Sequence, residues 1–80
     1  MNGMDIDLLI VEELKKTLSK DLVNFFMYSV IDAYESDKKK ALKRYMNALS
    51  DGDYLKSVEL TQNEIEELYT ALENIYYSEK

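Results

Sequence analysis

Cysteine and histidine are both absent from this chain of 80 residues. Without cysteine there is no disulfide and no thiolate metal site. Without histidine the chain lacks the commonest general base and the commonest nitrogen ligand for metals. We therefore expect a protein that has no catalytic activity, no metal site and no cofactor.

Proline is also absent, and glycine occurs only at Gly3 and Gly52. These residues punctuate turn-rich all-β chains, so their scarcity favours a few long helices in one domain spanning residues 1–80. The longest apolar run, residues 8–11, is far shorter than a membrane span. The start of the chain carries Asp5 and Asp7 rather than the basic segment of a signal peptide. We expect a cytoplasmic protein that does not bind membranes.

Charge is distributed unevenly along a chain whose net charge is −6. The basic segment, residues 36–49, has a net charge of +4, whereas residues 1–35 carry −4 and residues 50–80 carry −6. The cations of this basic segment form a candidate patch on one helix: Lys38, Lys39, Lys40, Lys43 and Arg44. Such a patch either binds nucleic-acid phosphates or neutralises acidic neighbours, and the overall negative charge favours the second interpretation.

The clearest local signal lies near the end of the chain. Thr61 and Glu64 have the spacing of a capping box, and Leu60 and Ile65 have the spacing of a hydrophobic staple. Apolar side chains then recur at helical intervals as Ile65, Leu68, Tyr69, Leu72, Ile75 and Tyr76. The pattern predicts a helix over about residues 62–77, with Tyr77 off the buried stripe.

The basic segment is itself predicted to be helical, with Ser36 or Asp37 as its cap and a stripe made of Ala41, Leu42, Tyr45, Met46 and Leu49. We expect this helix to end near Ser50, with Gly52 as a left-handed terminator. Residues 53–60 form either an extended connector or one short helical turn.

Residues 22–34 are apolar on most of their helical surface, which is typical of a helix at the centre of a core. Ser19 or Asp21 is its expected cap. Ser29 lies within the apolar face, and we interpret it as a small residue whose hydroxyl bonds a carbonyl one turn earlier. Tyr28 projects off the main face, whereas Tyr34 joins Tyr45, Tyr69 and Tyr76 among the tyrosines expected at core edges.

The first segment has two possible structures. Ile6, Ile10, Leu14 and Leu18, together with Val11, fit one helical stripe, which favours a helix over about residues 5–18. Residues 5–8 also alternate as a strand does. In the helical interpretation Leu8 and Leu9 fall off the stripe and need another cover. The fold predicted from all segments is an all-α, four-helix bundle-like domain, with a possible extra turn at 53–60.

Carboxylates at positions 51, 53, 59 and 64 resemble a calcium-binding loop only superficially. An EF-hand loop that began at Asp51 would need glycine at its sixth position and glutamate at its twelfth, where this chain has Lys56 and Gln62. A solvated acidic loop explains these residues better.

Protein binding is the function that these observations favour. Tyrosine is enriched in interface cores, and the chain has seven tyrosines. Leu8, Leu9, Tyr28 and Tyr77 are the candidate contact residues, and a homodimer is one way to cover them. The alternative is an inhibitor of the kind that phages and mobile elements encode, in which Glu66, Glu67 and Glu73 mimic the charge of nucleic acid. Direct nucleic-acid binding through residues 38–44 is the third hypothesis.

Overall fold

The structure is a computed structural model, and it describes residues 3–30 and 37–78 of the chain. These residues form five helices and no strand: α1 (Gly3–Leu14), α2 (Lys20–Val30), α3 (Lys38–Ala48), α4 (Gly52–Ser57) and α5 (Gln62–Ser78). The predicted all-α class is confirmed, and the helical interpretation of residues 5–8 replaces the strand. The bundle arrangement stays a prediction. Tyr34 and Ser36 lie outside the described residues.

Side-chain caps, rather than proline or glycine, start four of these helices. The Ser19 hydroxyl accepts from the Leu22 amide at 3.2 Å at the start of α2, and the Asp37 carboxylate accepts from the Lys39 amide at 3.0 Å at the start of α3. At the start of α5 the Glu64 amide donates to Thr61 Oγ1 at 3.1 Å, and the Thr61 amide donates to Glu64 Oε1 at 2.8 Å. The predicted capping box is therefore confirmed, with α5 ending one residue later than expected.

Gly52 has a different role from the one predicted for it. It is the first residue of α4 and does not have a left-handed backbone. Asp51 caps α4 by accepting from the Asp53 amide at 2.9 Å. The end of α3 is closed by tight turns, in which the Ser50 amide donates to the Asn47 carbonyl at 3.0 Å. The possible turn at 53–60 is thus a short helix that starts one residue before that range.

The core is built from one face of each long helix. Its largest fully buried side chains come from α1, α2, α3 and α5: Ile10, Leu14, Val23, Phe26, Met27, Leu42, Leu68 and Leu72. The rings of Phe26 and Tyr45 meet edge to face, 6.3 Å apart, and join α2 to α3. Ile6, Val11 and Leu18 are partly buried against the same core, as the first stripe predicted. However, α1 ends at Leu14, and a turn occupies the rest of the predicted helix.

The prediction that α2 is buried nearly all round is wrong. Leu22, Val23, Phe26 and Met27 form its buried stripe, but Phe25 is 46% exposed and Tyr28 is 90% exposed. At about 100° per residue, Phe25 projects about 130° from the centre of this buried stripe, so its ring lies on the opposite side of the helix from the core. The described helix also ends at Val30, and the rest of the predicted range lies outside the described residues. Within the described part of the chain, no helix has both the length and the apolar character needed to cross a membrane.

Candidate partner-binding surfaces

The first candidate surface is the hairpin face, which we define as Leu8 and Leu9 on α1 and Phe25 and Tyr28 on α2. Phe25 and Tyr28 are three residues apart, so they are neighbours on the helix surface. Leu8 is 56% exposed and Leu9 is 49% exposed. The expected exposure of Leu8, Leu9 and Tyr28 is therefore confirmed, whereas Phe25 was expected in the core.

The two helices that carry the hairpin face are adjacent. Residues 15–19 connect α1 to α2, and the two helices contact each other. Leu8 and Leu9 project about 100° apart on α1. Phe25 also lines a shallow groove together with Leu60 and Glu64.

The second candidate surface runs along α5. Glu66, Tyr69, Glu73 and Tyr77 recur at helical intervals of three and four residues, and we call them the Glu/Tyr stripe. Tyr77 is 75% exposed and Tyr69 is 36% exposed, so Tyr69 lies further from the core than predicted. Glu66 is exposed and Glu73 is half-buried.

Glu67 does not belong to this stripe, although it was predicted together with Glu66 and Glu73. It projects about 100° from Glu66, and both side chains line a shallow, open groove against Thr17 and Leu18. Asn63 and Thr70 are among the other lining residues, so the lining is mostly polar. Glu73 does not line this groove, so the three acidic residues predicted as one group do not form a single cluster.

The basic residues of α3 are likewise divided among different neighbours. Lys38 is only 18% exposed, and its ammonium lies 3.7 Å from a carboxylate oxygen of Glu13 on α1. The Lys39 ammonium lies 4.9 Å from the centre of the Tyr76 ring on α5. The other cations of the predicted patch, Lys40, Lys43 and Arg44, are exposed. Lys38 and Lys39 thus contact neighbouring helices, which divides the predicted patch.

A polar contact between α2 and α4 accounts for the serine noted in the sequence. Ser29 Oγ donates to the Phe26 carbonyl at 2.7 Å, which confirms the predicted bond one turn back. It also lies 2.6 Å from the Tyr54 hydroxyl. Since Ser29 has a single hydroxyl proton and gives it to Phe26, Tyr54 is the donor in the second bond. Burial raises the pKa of the Tyr54 hydroxyl.

Among residues 3–30 and 37–78, no three acidic side chains come close enough to hold a metal ion together. Comparison of the chain with family models, with curated proteins and with solved structures finds no match in any of the three.

Proposed function

We propose that this protein is a small helical module that binds another protein through the hairpin face and has no catalytic activity. The exposure of Tyr28 is the observation that carries this proposal. A tyrosine has about 150–250 Å² of surface, and 90% of the Tyr28 surface is open to solvent. At roughly 25 cal/mol per Å² of apolar area, covering the ring contributes about 1.5–3 kcal/mol before the entropic costs of association.

The neighbours of Tyr28 extend this surface. Phe25 supplies a second exposed ring one turn away on α2, and Leu8 is an exposed apolar side chain on the adjacent helix α1. Interfaces typically place a few buried aromatic side chains at their centre and surround them with less important contacts. Tyr28 is the expected centre here.

Site-specific photo-crosslinking tests this proposal. A benzophenone amino acid replaces Tyr28 in one variant and Lys43, on the exposed side of α3, in a matched control. We expect a defined adduct from position 28 in the cells that make the protein and none from position 43. Adducts of equal yield from both positions, or from neither, would contradict the proposal.

The partner identified by mass spectrometry is then purified and titrated with the protein. Tyr28→Ala is expected to weaken binding by about 30-fold or more, as for other interface centres. Asn24→Ala, on the same helix, serves as the control and is expected to change affinity little. If the adduct contains two copies of this chain, the partner is the protein itself, and the predicted homodimer is the functional form.

Mimicry of nucleic-acid charge is less well supported by the geometry of α5. This helix has four acidic residues and no basic residue over 17 residues, or about 25 Å. Duplex DNA carries one charge per about 1.7 Å, so it has roughly 15 charges over the same length. In addition, Glu64 accepts a hydrogen bond in the capping box, and Glu67 projects about 100–120° from Glu66 and Glu73 around the helix. Such a surface suits the recognition of individual cations better than the imitation of a polyanion.

Direct nucleic-acid binding also has less support than protein binding. Lys38 contacts Glu13 and Lys39 lies over Tyr76, so the basic segment does not present all its charges as one phosphate-binding surface. The net charge of −6 further disfavours the approach of a polyanion.

A further inference from the structure

The Glu/Tyr stripe has a regular alternation that the hairpin face lacks. Glu66, Tyr69, Glu73 and Tyr77 follow one another at spacings of three, four and four residues, and they project within about 80° of each other. The buried residues Leu68, Leu72 and Ile75 occupy a different side of the helix. Carboxylates and aromatic rings therefore alternate along one exposed side of α5 for about 16 Å.

This alternation fits cationic side chains. A guanidinium or ammonium group gains energy from the face of an aromatic ring and from a neighbouring carboxylate, and both are within one helical turn of each other here. The protein already contains one such contact beside the stripe, because the Lys39 ammonium lies 4.9 Å from the centre of the Tyr76 ring. The Tyr76 and Tyr77 rings meet edge to face, 5.3 Å apart, so this cation site adjoins the end of the stripe.

We propose that the Glu/Tyr stripe binds a helix of a partner protein that carries arginine or lysine at two positions seven residues apart. Glu66 and Glu73 are separated by seven residues, which is about 10.5 Å along α5, and two cations with the same separation on a partner helix can meet both carboxylates. Tyr69 and Tyr77 then lie beside the two cations. This surface is independent of the hairpin face, so either can exist without the other.

Charge and spacing identify the occupant. A nucleic acid is repelled by the carboxylates of the stripe. A second copy of this chain matches less well, because the exposed α3 cations Lys40, Lys43 and Arg44 span only four residues, or about 6 Å, which is shorter than the separation of the two carboxylates. A partner helix whose cations are two turns apart has the required spacing.

The probe for this proposal is a synthetic helical peptide with two arginines seven residues apart. Its control peptide has the same composition, with the two arginines four residues apart. Each is titrated into the isotopically labelled protein at low ionic strength, and amide chemical shifts are followed by NMR. We expect the peptide whose arginines are seven residues apart to bind at least about fivefold more tightly than the control peptide. The chemical-shift changes are expected to concentrate on α5 between Glu66 and Tyr77.

Matched variants locate the site. Glu73→Gln is expected to weaken binding of the peptide with the seven-residue arginine spacing about fivefold or more. Glu67→Gln removes the same charge from a position off the stripe, so it is expected to change the affinity less than about twofold. Tyr77→Leu is expected to weaken binding because the aromatic face is lost. Circular dichroism confirms that each variant keeps the helical content of the wild type.

Four results would overturn the proposal. The first is equal weakening by Glu73→Gln and Glu67→Gln, and the second is equal affinity for the two peptides, since either shows unspecific charge attraction. The third is the absence of shifts at millimolar peptide. The fourth is a change in the amide chemical shifts of the stripe when the concentration of the protein alone is raised, if Glu73→Gln abolishes that change. That result makes a second copy of the chain the occupant.

Discussion

Replacing Thr61 by alanine tests whether the capping box fixes the start of α5. In the native protein Thr61 Oγ1 accepts from the Glu64 amide at 3.1 Å, and this amide is one of the first-turn donors that have no partner within the helix. Loss of such a cap costs about 0.5–2 kcal/mol. A domain of this size has a stability of about 4–12 kcal/mol, so a substantial fraction of it is at stake.

The assay is urea denaturation of four proteins: the wild type, Thr61→Ala, Glu64→Ala and the double variant. Glu64→Ala is expected to cost less than Thr61→Ala, because it removes only the bond from the Thr61 amide to Glu64 Oε1. Since the two bonds hold the same turn, the double variant is expected to lose less than the two single losses combined. In thermal unfolding, each kcal/mol lost corresponds to a fall in Tm of about 4–8 °C.

Thr70→Ala is the matched control for this experiment. Thr70 is an exposed residue in the middle of α5, where alanine has the higher helix propensity, so the same substitution is expected to be neutral or slightly stabilising. If Thr61→Ala unfolds at the same urea concentration as Thr70→Ala, the capping box does not stabilise the protein and α5 does not depend on it.

Three further predictions concern the core, the Tyr54 hydroxyl and the surface. In urea denaturation, Phe26→Ala is expected to cost about 3–5 kcal/mol of stability and Leu72→Ala about 2–5 kcal/mol. Tyr28→Ala is expected to change the stability little, because its ring is exposed. Unchanged urea midpoints for both core variants would contradict the packing. Because burial raises the pKa of Tyr54 in the folded state, the unfolded chain releases that proton first as the pH rises. The stability of the wild type is thus expected to fall above about pH 10, and that of Tyr54→Phe is expected to fall less. If the urea midpoints of the two proteins fall equally steeply with pH above that value, the expectation is refuted. In gel-shift assays at physiological salt we expect no duplex binding, and a salt-sensitive shift lost on changing Lys43 to glutamate would reverse that expectation.

Local signals in the sequence predicted the helix starts well, because a cap involves residues only two or three positions apart. Thr61 was identified as a cap in this way, and the structure confirms it. For α3 the sequence offered Ser36 or Asp37, and the structure shows that Asp37 is the cap. The same logic was not extended to Asp51, since the glycine after it also fits the end of a helix. The sequence could not distinguish these roles, because the choice depends on whether α4 forms against the rest of the protein.

Burial was harder to predict than helicity, because an apolar residue does not reveal which side of its helix is covered. Tyr28 and Tyr77 were correctly expected at the surface, since both fall off their stripes. Phe25 was assigned to the core because nearly every neighbour in α2 is apolar. Its exposure follows from the placement of α2 at one side of the core, and a sequence without structure does not fix that placement.

The Glu/Tyr stripe was missed for a related reason. Tyr69 satisfies the spacing of the buried stripe and was grouped with Leu68 and Leu72, which separated it from Glu66 and Glu73. In the structure it lies at the margin, exposed enough to join the acidic side of α5. Tyrosine suits such a margin, because one part of its ring packs against apolar neighbours while the hydroxyl reaches water.

The division of the cations on α3 explains why the acidic side of α5 still presents its charge to solvent. From the sequence, the basic segment with its net charge of +4 is expected to neutralise part of the following segment, which has a net charge of −6. However, Lys38 contacts Glu13 on α1, and Lys39 contacts the ring of Tyr76 rather than a carboxylate of the stripe. An exposed ion pair contributes about 0–1 kcal/mol, so neutralisation within the fold offers little stability. The contrast between Glu73→Gln and Glu67→Gln therefore tests directly the proposal that Glu66 and Glu73 meet cations from another protein.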